Sequence, residues 1–284
     1  MTPATARSKA AAVSSCVGSV LASLVCAALA GGAASAASVD AKYDISLLGL
    51  SLGTANLSGG LNGDAYKIDI VAKMTGLIGG VTGGRGSGVA TGQFNGGRIS
   101  PTSFAVTSAS SSESRTVRMA LGGGAVRAVD IAPPIDAKPD RVPLTDTHRR
   151  NIVDPISAFL MPVNARGGVG AACNRTLQIF DGAARYDIKL SSAGTRQVEL
   201  DGFKGEVAVC QARYVPIAGH RALRPATKFM AENRDISAWL APVAGTNMMV
   251  PVRISVKTMV GTAVIEASRF RVDPGVTATT LSDD

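Results

Sequence analysis

Few residues of this sequence are of types that do chemistry, and fewer stand at spacings that chemistry uses. The 284 residues include four cysteines and two histidines, His148 and His220. A zinc site needs at least three protein ligands. Two histidines and a pair of oxidised cysteines do not supply them without carboxylates. His148 lies in Thr145-Asp146-Thr147-His148-Arg149-Arg150. The neighbouring Asp146 could orient it, but the two arginines oppose its protonation. Gly49-Leu50-Ser51-Leu52-Gly53 has the Gly-x-Ser-x-Gly spacing, but no helix pattern follows it, so it is not read as a nucleophile elbow. The stretch Gly79-Gly80-Val81-Thr82-Gly83-Gly84-Arg85-Gly86-Ser87-Gly88 has neither a Gly-Lys-Ser/Thr ending nor the spacing of a dinucleotide fingerprint. It reads as a hairpin loop leading into a strand over Val89 to Phe94. No catalytic residue, metal or cofactor is therefore assigned.

One cluster is more suggestive. Cys210-Gln211-Ala212-Arg213-Tyr214-Val215-Pro216-Ile217-Ala218-Gly219-His220-Arg221 is followed by Arg224 and Lys228. Tyr214, His220, Arg221 and Arg224 could face an anionic headgroup or a partner carboxylate. The other reading is a strand leaving the sheet, its cations solvated and its tyrosine in the core.

The cysteines and the N-terminus set the compartment these residues would work in. Arg7 and Lys9 precede an uncharged, Ala- and Ser-rich run from Ala10 to Gly32, and Ala34-Ser35-Ala36 offers a cleavage site before Ala37. This pattern predicts export to the periplasm, with 1–36 as a cleaved signal peptide and 37–284 as a single β-rich domain. Its composition favours cleavage over an uncleaved anchor, and Val25 before Cys26 disfavours lipid attachment. Cys173 and Cys210 remain, and in an exported protein they read as a disulfide. No later segment is long and apolar enough to span a membrane as a helix.

Removing Arg7 and Lys9 takes the formal net charge from +8 to about +6. The positive charge is diffuse and suits weak contact with anionic envelope polymers or lipids. With seven Phe, four Tyr and one Trp, the chain lacks the stacking platforms of single-stranded nucleic-acid binders, and no nucleic-acid partner is expected.

The elements that must position these residues are strands. Tyr66, Ile68, Ile70, Ala72 and Met74 alternate with Lys67, Asp69 and Lys73, and the same period of two recurs at Tyr43–Leu47, Val117–Leu121, Tyr186–Leu190 and Val252–Val256. One wet and one buried face marks antiparallel sheet. Turn signals fall at Leu48-Gly49, Ser58-Gly59-Gly60, Asn62-Gly63, Asn95-Gly96-Gly97, Gly122-Gly123-Gly124, Asp181-Gly182, Asp201-Gly202 and Gly245-Thr246-Asn247. A spacing of about ten residues predicts an all-β meander of roughly a dozen strands, curved into a barrel, half-barrel or sandwich. A Pro-rich connector at about 131–153 joins its two halves. Asp154 can cap a helix with Pro155 in its first turn, which predicts one short helix near residues 155–161. Ile156, Phe159 and Leu160 form its apolar face, and the helix reads either as a plug or lid, with Phe159 over a ligand, or as a simple crossover.

Asp154-Pro155-Ile156-Ser157-Ala158-Phe159-Leu160 resembles the mid-domain Asp-Pro/Leu-Ser motif of domain-of-unknown-function family 3108, exported bacterial β proteins. Asp235-Ile236-Ser237-Ala238-Trp239-Leu240 to Val250-Pro251-Val252-Arg253-Ile254 resembles that family's Trp hairpin. Tyr214 to Arg221 is similar to a version in alphaproteobacterial members. The likeness runs from about Tyr43 to Phe270. It implies a periplasmic location and a β-rich fold, and it carries no catalytic residue. Gly245-Thr246-Asn247 stands where many members place an acidic residue, which argues against a cation role for that loop.

The expected function is that of a non-enzymatic periplasmic protein supporting the cell envelope. It would bind a lipid-like or other amphipathic ligand on the concave face of its sheet, or an envelope protein. The alternatives are an interaction module docking by strand addition and a histidine-dependent envelope hydrolase.

Overall fold

The computed structural model describes residues 36–75, 83–95, 97–163 and 168–275. Residues from Ala33 onward form a compact unit of their own. Residues 1–35 of the expected signal peptide lie outside the described residues, and its last residue, Ala36, is the first of the sheet.

Alternating sequence and short turns build one antiparallel sheet. Its first half is a meander of β1 (Ala36–Leu47), β2 (Leu50–Asn62), β3 (Ala65–Met74), β4 (Arg85–Asn95), β5 (Arg98–Ala109), β6 (Ser114–Gly122) and β7 (Ala125–Ala132). The two-residue β8 (Met161–Pro162) opens the second half. It is followed by β9 (Arg175–Phe180), β10 (Arg185–Leu200), β11 (Phe203–Ala218), β12 (Ile236–Val243), β13 (Met248–Thr258) and β14 (Gly261–Asp273). The strand order is β7-β6-β5-β4-β3-β2-β1-β14-β13-β12-β11-β10-β9, with β8 paired to β13. The first and last long strands therefore stitch the halves together: Ala41 opposes Leu57 on β2 and Phe270 on β14.

The sheet curls but does not close, because β7 and β9 do not pair. The connector spans the gap. Arg150 bridges to Ala125, and Asn151 N donates to Gly124 O at 2.6 Å. Two residues on, Val153 N donates to Gln178 O at 2.8 Å and Phe180 N to Val153 O at 3.0 Å. One four-residue segment thus occupies the ends of both edges, a common way to blunt an open edge.

Two apolar clusters fill the fold. The larger holds Val39, Ala41, Tyr43, Leu57, Ile68, Phe104, Met119, Ile156, Val250 and Phe270. The smaller surrounds the disulfide Cys173–Cys210, with Leu190, Ala212, Ile236, Leu240 and Met249.

Four expectations change in detail. The helix near 155–161 is a single 3-10 turn, Ser157–Phe159, and Met161 has already entered β8. Pro155 and the tight Asp154 cap allow one turn, and backbone pairing with β13 then draws the chain into extended form. Ser58-Gly59-Gly60 is not a turn but the middle of β2, where Gly59 lies opposite Val39. The glycine-rich stretch is a hairpin connection whose residues 76–82 lie outside the described ones, and Gly86 and Gly88 already belong to β4. An eight-residue helix, α1 (Pro225–Glu232), lies between β11 and β12 where no helix was expected.

Candidate functional site

The connector's turn is the centre of the molecule. Asp154 Oδ1 accepts the backbone N–H groups of Ile156 at 3.0 Å and Ser157 at 2.8 Å. Ser157 Oγ donates to Asp154 Oδ2 at 2.5 Å. Since that bond uses the only hydroxyl proton of Ser157, the phenol of Tyr66, 2.7 Å from the same Oγ, is the donor to it. The result is a one-way chain of hydrogen bonds, Tyr66 to Ser157 to Asp154, inside the apolar core. Asp154 and Ser157 are both fully buried.

Burial is the leading influence on both ionisable groups. It raises the Asp154 carboxyl above its ordinary range, against the opposing pull of its hydrogen bonds. It also pushes the Tyr66 phenol well above its ordinary value. A carboxylate so held, with no solvent beside it, is a structural lock rather than an accessible acid.

Strand β4 makes the space for this turn. Its inward positions, in register with Tyr66, Ile68, Ile70 and Ala72, are Gly92, Ala90, Gly88 and Gly86. A Cβ on Gly88 would stand 2.6 Å from Ile156 Cδ1, and one on Gly92 would collide with the Tyr66 phenol. The glycines of this stretch therefore serve close packing, the usual meaning of glycine inside a strand.

The turn is a plug, not a lid. Ile156, Ala158 and Leu160 are all buried. Phe159 is half-buried and borders a cavity of about 10 Å³ with Val39, Leu57, Ile68, Val243 and Val250. That space holds a water molecule at most, and no lipid chain fits there.

The remaining sequence candidates lie on a separate seam. The connector returns as residues 140–142 and pairs with 219–222: Val142 N donates to His220 O at 2.9 Å and Ala222 N to Asp140 O at 2.9 Å. The Arg141 guanidinium donates to Gly219 O. Arg221 Nε donates to Asp140 Oδ1 at 2.9 Å, and this bond holds the Asp140 carboxyl below its ordinary range. Arg221 is therefore already engaged within the chain. His220 Nδ1 is buried without a hydrogen-bond partner. Tyr214 is half-buried, 5.3 Å from Tyr186 between ring centroids, and burial raises its phenol. Arg224 caps α1 and is exposed, as is Lys228. The structure thus places His220 and Arg221 on the seam, Tyr214 beside Tyr186 on the paired strands β10 and β11, Arg224 exposed at the start of α1 and Phe159 in the plug.

His148 belongs to neither group. Its Nδ1 accepts from Thr145 N at 3.1 Å in a surface 3-10 turn. No carboxylate hydrogen-bonds to either histidine among the described residues. The same set contains no cluster of three or more His, Cys, Asp or Glu able to hold a metal ion.

Sequence reasoning missed Tyr66, Arg141 and Asp181. Asp181 accepts Ala183 N at 2.8 Å and Ala184 N at 2.7 Å, and burial raises its carboxyl. The Asp181-Gly182 turn signal marked the place but not the burial. The Trp hairpin carries a further arrangement: Arg196 and Arg253 stand 5.2 and 5.1 Å from the Trp239 ring centroid, and Arg253 also pairs with Glu266.

A family model described as "Protein of unknown function (DUF3108)" matches residues 42–268. The chain belongs to the DUF3108 family. The match runs from β1 into β14, so it takes in the plug, the seam and the Trp hairpin, and in this DUF3108 chain the Asp-Pro-Ile-Ser motif is the lock itself. No curated protein matches the sequence. Among solved structures, the crystal structure of a β-barrel-like protein of domain of unknown function DUF1849 from Brucella abortus matches with a TM-score of 0.52. It is 11% identical and covers 85% of this chain and 99% of its own. At that identity the likeness speaks for the fold alone. No helix among the described residues of this DUF3108 protein is long and apolar enough to cross a membrane.

Proposed function

We propose that this DUF3108 protein is an exported, non-enzymatic component of the cell envelope that works through its surface and not through an enclosed ligand. The observation that carries this reading is the plug. The motif read from sequence as a plug, a lid or a crossover is core, and the cavity beside Phe159 is about 10 Å³, whereas small-molecule pockets run to about 300 Å³ and more; the cleft of about 340 Å³ among Gln211, Asp235, Ser237, Ser255 and Lys257 lies on the surface. Export is supported by the leader pattern and by its end point, since β1 begins at Ala36 beside the expected cleavage site. The buried disulfide fits an oxidising compartment. A lipid-like or anionic envelope component remains the partner its basic balance suits, met on the outside of the sheet.

Strand addition has less support. The connector occupies one end of each free edge, β7 carries Arg127 and Asp130, and Pro133-Pro134 follows it. Such features discourage edge pairing. A histidine-dependent hydrolase would need a carboxylate on His148 or His220. Replacing both with Gln and retaining complementation would remove that reading.

The test is native mass spectrometry of the chain from a periplasmic extract, without detergent, alongside cell fractionation. The expected result is a bare protein starting at Ala37 and two hydrogens light. A discrete extra mass lost on denaturation would overturn the surface reading in favour of an enclosed ligand. Recovery of the chain from the cytoplasm with its leader intact would overturn export.

A further inference from the structure

One end of the sheet presents apolar side chains to water from two adjacent hairpin tips. Leu48 and Leu50 at the β1–β2 turn are 66% and 70% exposed, and Met259 and Val260 at the β13–β14 turn are 58% and 69% exposed. The tips touch: Leu48 N donates to Thr262 O at 3.0 Å, and the Leu48 side chain lies over Gly261, leaving no room there for a Cβ.

Leu48 is also the wrong residue for its backbone. Leu47 pairs with Leu50, so Leu48 and Gly49 form a two-residue turn, and both have positive φ, 53° and 80°. That is the pattern of a type I′ turn, whose first position favours Asn or Asp. A leucine in the left-handed region is strained, and exposed leucine loses the burial that would offset the strain. Folding alone explains neither feature, whereas an apolar surface outside the molecule explains both.

Charge names the surface. Lys73 on β3 and Arg85 on β4 are directly opposite in register, both exposed, with Thr54 and Ala109 as their other neighbours. Like charges placed so are unfavourable, and neither has an acidic partner among the described residues. Of the acids at this end, Asp235 is tied to Lys257 at 3.2 Å and Glu266 to Arg253, while Asp44 on β1 is exposed and level with Thr54, so the row through Lys73 carries Lys73, Arg85 and Arg253 against Asp44 and Glu266. Lys73 is level with Thr54, four residues or about 13 Å of strand behind Leu50. With the strands end-on to a bilayer, apolar tips entering by about 5–10 Å leave these cations among the headgroups.

We infer that this end of the sheet docks on the surface of an anionic lipid bilayer, with Leu48, Leu50, Met259 and Val260 as apolar anchors and Lys73 and Arg85 as headgroup contacts. The docking rests on the envelope reading above and gives it a partner.

The experiment is co-sedimentation of the chain from Ala33 onward, which omits the apolar leader, with vesicles of phosphatidylcholine alone or mixed with phosphatidylglycerol. Binding to the mixed vesicles is expected, weakened by salt and slight on phosphatidylcholine alone. The double variant Leu48→Asn, Met259→Ser should bind about tenfold or more weakly. It should melt no lower than the parent, because Asn suits the turn. Lys73→Ser and Arg85→Ser should each cost about fivefold on mixed vesicles only. Failure of the parent to bind either vesicle, or unchanged binding by the Leu48→Asn, Met259→Ser variant, overturns the docking. So does self-association of the parent that this variant abolishes, since the patch then belongs to a second copy. These failures leave export standing, because fractionation tests it separately.

Discussion

The Tyr66 phenol on β3 and the Ser157 hydroxyl in the connector lie 2.7 Å apart across 91 residues of sequence. This bond ties the first meander to the plug. Tyr66→Phe removes the donor and Ser157→Ala removes the relay, leaving Asp154 Oδ2 without its side-chain partner. Each should cost about 1–3 kcal/mol of folding stability. Because the two hydroxyls share one bond, the double variant should cost less than the sum. Urea unfolding of the four proteins measures this. Strictly additive costs would mean the hydroxyls act independently.

Asp154 makes stability depend on pH in an uncommon direction. Its folded carboxyl is raised, chiefly by burial, so the folded state holds the proton at pH values where the unfolded chain, at about 3.9, has released it. Stability is greatest below the unfolded value and falls as pH rises through the folded one. Asp181 is raised by the same cause and adds to the trend. Asp154→Asn should therefore flatten, without abolishing, the decline in unfolding free energy from about pH 4 upward. An unaltered pH profile in that variant would show that Asp154 ionises as freely in the fold as in the unfolded chain.

The sheet was legible because its evidence is local. The alternation at Tyr66 to Met74 and the glycine turns at residues 49, 63, 202 and 245 each declare themselves within a few residues, and all proved correct. Gly59 and Gly88 misled because a glycine inside a strand, like Gly88 packed against the plug, looks in sequence like one required by a turn. Only register separates the two cases. The lock was half legible: Asp154 and Ser157 stood in the family motif, but their partner Tyr66 looked like any inward strand residue. Tyr214 lies inside β11 opposite Ile188, whereas His220 and Arg221 follow the end of that strand. Their cation proved to be paired with Asp140, a contact 81 residues apart that no local pattern encodes. The apolar tips were marked only by Leu48-Gly49, which read as a turn and not as a leucine out of place.

Gly88 tests the packing of the plug. A side chain there would meet Ile156 Cδ1 at 2.6 Å, whereas at Gly86, on the same face of β4, its nearest neighbour is Thr107 O at 3.6 Å. Gly88→Val should destabilise by about 1–3 kcal/mol through overpacking. Gly86→Val should be near neutral, since valine suits a strand. Thermal melts of the pair are decisive: equal melting temperatures would mean the plug yields without strain and does not fix the inner face of β4.

The Cys173–Cys210 bridge closes a loop across a sequence separation of 37 and pins the 3-10 turn Val169–Ala172 onto β11. In the chain-entropy account a loop of that length contributes about 4 kcal/mol at most. Both cysteines are fully buried in the smaller apolar cluster, which is built largely from short side chains such as Ala172, Ala208, Ala212 and Ala238. Such a cluster removes little area from water per residue, so it depends on the crosslink more than the larger core does. Reductant should lower the urea midpoint. The double variant Cys173→Ala, Cys210→Ala should start from the lowered value and ignore reductant. Hydrogen exchange should localise the loss to β9–β12 while β1–β4 stay protected. Equal midpoints with and without reductant, at a rate of bond opening verified by thiol labelling, would show that packing alone holds this half of the sheet.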